Sequence, residues 1–83
     1  MLTYRTKDLV EATVLKLLCA DKFRGMEERK GDTGVYEFVF DEDEALLEVV
    51  NKLPKGELLV EPATFASMLR LLKNMLYTSK RLF

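Results

Sequence analysis

The chain contains no histidine. That removes the side chain most often used as a general base near neutral pH and as a ligand for transition metals. It has a single cysteine, Cys19, so no disulfide can close within the chain and a structural zinc site is excluded. Cys19 lies in an apolar helical run, where a thiol reads as an inert core residue rather than a redox or catalytic group. The four glycines are scattered among turns, and neither G-x-x-x-x-G-K nor G-x-G-x-x-G, the phosphate-binding fingerprints, occurs. Ser67 and Ser79 have no companion residues resembling a nucleophile with its base. The expectation is a protein that is not an enzyme, with no cofactor, no metal and no small-molecule substrate.

Long apolar runs are missing too. No segment reaches the ~18–20 apolar residues of a membrane span. Arg5, Lys7, Asp8 and Glu11 interrupt what would be the apolar core of a signal peptide. With one cysteine the composition suits a reducing compartment, and the expected location is cytoplasmic. No internal repeat or low-complexity tract occurs.

What is present is a folded composition, 48% hydrophobic and 33% charged over 83 residues. This predicts one small domain over residues 1–83, its core at about 4–77 and residues 78–83 as a flexible tail. The net charge of −1 conceals an uneven distribution. Residues 31–65 hold nine acidic and two basic side chains, whereas residues 66–83 hold four basic and none acidic. An acidic middle and a basic end allow copies of the chain to dock on one another, or one end to act as a local binding face.

The chain is organised around residues 34–53, GVYEFVFDEDEALLEVVNKL. Tyr36, Phe38 and Phe40 alternate onto one face of an extended segment and predict the core face of a sheet. Asp41 with Glu44 three residues later resembles a capping box. Leu46, Val49, Val50 and Leu53 follow at the spacing of one helix face, and Pro54 ends that helix by about Lys52. Before this stretch, residues 2–5 could be extended. Thr6 is the expected N-cap of an apolar helix over 7–19, in which only Glu11, Thr13 and Lys16 are polar gaps. Residues 23–29 read as a strand with a bulge at Gly25, joined by Lys30-Gly31-Asp32-Thr33-Gly34 into a β-hairpin.

After Pro54-Lys55-Gly56, residues 57–61 read as a short extended piece or third edge strand. Pro62 opens the last helix. Phe65, Met68, Leu69, Leu72, Met75 and Leu76 form its apolar stripe. The predicted fold is α+β in αββαα order, a β-hairpin packed on helices.

Four stretches also carry a family resemblance: Thr-Lys-Asp-Leu opening the first helix, Phe-Val-Phe-Asp, Val-Glu-Pro-Ala-Thr-Phe and Leu-Lys-Asn-Met-Leu-Tyr. Together they resemble a family of small uncharacterised domains of bacterial, archaeal and phage proteins, over Tyr4 to Tyr77. The resemblance implies a phage or mobile-element accessory protein. It implies no functional residues.

Two surfaces are candidates for binding. Asp41, Glu42, Asp43 and Glu44, with Glu48, form the one carboxylate constellation. It reads as a negative helix start, as a docking surface for a basic partner, or as a Mg²⁺ or Ca²⁺ site, although it lacks the alternation and glycine of a Ca²⁺ loop. Arg70, Lys73, Tyr77 and Lys80 share a side of the last helix. They read either as a solvated face or as a surface for phosphates and a stacked base. Four methionines and the outward-facing Val35, Val39 and Leu71 exceed what one small core buries, which predicts a homo-oligomer, a dimer first. The expected function is a self-associating module that binds another protein, with nucleic-acid binding as the alternative.

Overall fold

A computed structural model describes the backbone of residues 2–31, 33–56 and 60–81, and side chains through Thr78. The elements are β1 (Thr3–Thr6), α1 (Leu9–Leu18), β2 (Phe23–Glu28), β3 (Tyr36–Asp41), α2 (Glu44–Lys52) and α3 (Pro62–Arg81), with 3₁₀ turns at Ala20–Lys22 and Leu53–Lys55. The fold is α+β, the expected αββαα order with a strand added in front. The third strand is β1. Of the stretch read as an edge strand, residues 57–59 lie outside the described residues, and Val60 and Glu61 are not in a strand. The backbone of α3 continues to Arg81, into the stretch expected to be a tail.

The sheet has the order β1-β3-β2, with both pairings antiparallel. β1 and β2 therefore run parallel to each other with β3 between them, and α1 is the crossover that joins them. This gives β3 its role. Its Phe38 and Phe40 are fully buried, and Tyr36 nearly so, as the alternation requires. Phe40 pairs with Phe23 across the sheet, and their rings meet at 5.3 Å and 54°, inside the range where aromatic pairs add to simple burial. The hairpin turn carries Gly31 and Gly34 at φ 86° and 85°. The register slips between Phe23 and Gly25. Gly25 sits at φ 109°, in a region L-residues avoid, so this glycine makes the bulge.

Val39 was expected to face outward, yet it is 4% exposed. The reason is an ion pair that crosses the sheet. Arg5 lies opposite Val39 on β1 and Glu27 opposite Glu37 on β2, and their side chains meet at 3.0 Å. The two therefore reach toward each other over β3 and roof Val39.

Each polar residue of α1 has an assigned partner. The Tyr4 hydroxyl donates to Glu11 Oε1 at 2.7 Å. Thr13 is completely buried, and its hydroxyl donates to the Leu9 carbonyl at 2.7 Å. The Lys16 ammonium sits 4.6 Å from the Phe23 ring centroid, a cation–π geometry. The N-cap is Asp8, which accepts from the Val10 and Glu11 amides. Thr6 is not the cap, because it is held in β1 opposite Phe38. Its hydroxyl accepts from the Asp8 amide instead.

Ala12, Leu15 and Cys19 meet Phe38, Phe40, Leu46 of α2 and Leu72 of α3 in one core. Burial pushes the Cys19 thiol above its ordinary pKa. The N-cap of α2 is Asp43, not Asp41, and it accepts from the Leu46 amide. Asp41 is the last residue of β3, opposite Thr3. α3 begins at Pro62 as expected. Before it, Glu61 accepts from both the amide and the hydroxyl of Thr64, which holds its carboxylate below the usual range.

Candidate functional site

The longest helix makes the least use of its apolar residues. α3 spans 20 residues, yet among its described side chains only Leu72 is fully buried. Phe65, Met68, Leu69, Met75 and Leu76 are half-buried. Leu71 and Tyr77 are exposed. The reason is geometric. A 20-residue helix is about 30 Å long, whereas the core it touches is made by helices of ten and nine residues and short strands.

α3 presents two surfaces. On one side Arg70, Lys73 and Tyr77 are exposed together. Arg70 and Lys73 line a shallow depression of about 260 Å³ with Ala66 and Leu69. The structure thus brings three of the four expected basic-face residues onto one surface. The side chain of Lys80 lies outside the described residues. No ion pair among the described residues engages Arg70 or Lys73, whereas Arg5, Lys22, Arg24 and Lys52 are each paired with a carboxylate.

On the other side runs an apolar groove of about 370 Å³ between α3 and β2, lined by Met26, Leu71, Asn74, Met75 and Thr78. Sequence periodicity found Leu71 as an outward residue but not the groove. Met26 comes from a strand 45 positions earlier, and no local pattern links the two.

The acidic stretch is largely neutralised within the fold. Asp41 pairs with Arg24. Asp43 pairs with Lys22 at 2.7 Å, and Glu48 with Lys52 at 3.0 Å. Glu42 is half-buried, and its amide donates to the Leu2 carbonyl. Glu44 is exposed. The hydrogen bond from Lys22, then that from the Leu46 amide, hold Asp43 below the ordinary carboxylate range. The same contact raises Lys22. These residues therefore tie α2 to the turn before β2. Among the described residues no group of three or more His, Cys, Asp or Glu side chains is placed to hold a metal ion.

No described helix is long and apolar enough to cross a membrane. Comparison with protein-family models, with curated proteins and with solved structures gives no match to this chain.

Proposed function

We propose that the chain is a non-enzymatic interaction module that associates with itself and binds another protein, with α3 as its working surface. The observation that carries this reading is the poor coverage of α3, whose apolar stripe has one fully buried residue among those described. A helix left half-wet along its length gains free energy when another surface covers it. The resemblance to small domains of bacterial, archaeal and phage proteins fits an accessory role of this kind in the cytoplasm. Sedimentation velocity over a wide concentration range tests self-association. The mass of two copies at high protein concentration is the expected result, and a single copy at every concentration overturns it.

A second reading is nucleic-acid binding by Arg70, Lys73 and Tyr77. It is favoured by the lack of an ion pair to Arg70 or Lys73 among the described residues, since cations without internal partners are available to phosphates. Fluorescence anisotropy with labelled DNA and RNA at two salt concentrations tests it. Binding that weakens steeply with salt and is lost in an Arg70→Glu, Lys73→Glu double variant is the expected result. Binding unchanged in that variant removes this surface from consideration.

A further inference from the structure

The self-association proposed above leaves open which surface the copies share, and the groove beside α3 supplies one. Thr64, Ser67, Leu71, Asn74 and Thr78 recur at alternating spacings of three and four along α3. That is the spacing of a seam against a neighbouring helix. All five side chains are exposed, and none is charged. Arg70 borders this row, three residues after Ser67 and four before Asn74, and Lys73 lies farther round the helix. A partner for this seam must itself be uncharged along three turns, must offer small polar groups, and must carry one large apolar residue for the groove. The seam meets those requirements itself.

Charge at the helix ends gives the direction. Glu61 stands at the start of α3, while Lys80 and Arg81 are the last residues of its range. Antiparallel packing places the acidic start of each helix beside the basic end of the other, and it opposes the helix dipoles favourably. Parallel packing sets like against like. With Leu71 at the two-fold axis, Ser67 of one copy faces Met75 of the other, and Thr64 faces Thr78.

We propose that two copies form a two-fold dimer in which α3 packs antiparallel to α3, with Leu71 of each copy against Leu71 of the other at the mouth of the groove that Met26, Asn74, Met75 and Thr78 line. Because this rests on the self-association reading, the test separates the two. Sedimentation velocity is run on the full chain and on Leu71→Glu, with circular dichroism as the fold control; Leu71 is exposed, so the variant is expected to fold. Weakening of the dimer by roughly 30-fold or more, the scale of a central interface residue, supports the site. A Leu71→Cys chain should also form a cross-linked dimer on mild oxidation, because the axis brings residue 71 onto itself. An Asn74→Cys chain should not, since residue 74 then lies opposite residue 68. A dimer unaffected by Leu71→Glu, with no cross-link through position 71, overturns this interface and leaves self-association standing. A wild-type chain monomeric at every concentration overturns both.

Discussion

Single residues here do work that their neighbours in sequence do not announce. Gly25 has nothing within 4 Å of where a Cβ would sit, so replacing it is a question of backbone conformation alone. At φ 109° an alanine is strained by about 1–3 kcal/mol. Gly25→Ala should lower unfolding stability by that amount, read from urea denaturation with an unchanged m-value. Tyr4 illustrates the opposite case, a side chain whose chemistry is altered by its surroundings. Burial, then the hydrogen bond to Glu11, pushes its hydroxyl up to about 12 from 10.0. Because the folded value is the higher, the neutral phenol stabilises the fold fully below pH 10, and that contribution disappears as pH rises through 12. Absorbance at 295 nm should therefore show Tyr4 ionising near 12, and Tyr4→Phe should remove that contribution while the ionisation of Tyr36, which burial also raises, remains.

Among elements, the ones that local pattern could place were placed. The three aromatics of β3, the end of α2 at Lys52, Pro62 at the head of α3 and the bulge at Gly25 all depend on residues a few positions apart. β1 does not. Four residues, Thr-Tyr-Arg-Thr, become a strand because β3 accepts them from 35 positions further on, and that partner also keeps Thr6 from capping α1. Local criteria favour Asp41 as the cap of α2, because Glu44 stands three residues after it. Pairing with Thr3 and Arg24 holds Asp41 in the sheet, and the choice falls to Asp43. The candidate site divides the same way: the basic side of α3 follows from helical spacing, while the groove needs Met26 from another layer.

The Lys22–Asp43 pair makes the contact between elements testable. Asp43 is lowered below 3.8, so its contribution is present above that pH and lost as pH falls through the lower folded value. Lys22 is raised above 10.5, so its contribution holds below that pH and is lost on the alkaline side. Asp43→Asn keeps a competent cap without the charge. Its stability should fall less steeply than that of the wild type between pH 5 and pH 2 in thermal melts.

At the scale of the whole molecule, β3 is the one strand among those described that is bonded on both sides. Its amides should exchange with deuterium more slowly than those of β1 and β2, each of which pairs with β3 alone among the described strands; comparable protection across the three strands in a peptide-resolved exchange experiment would contradict the strand order. The same arrangement governs how the protein emerges during synthesis. β1, α1 and β2 leave the ribosome first, yet the two strands have no native bonds to each other. A nascent chain arrested just after residue 35 thus holds the outer staves of a sheet whose middle has not been made. Translation of residues 36–41 is then the event that closes the sheet, and the chain should gain protease resistance abruptly once that short segment clears the exit tunnel.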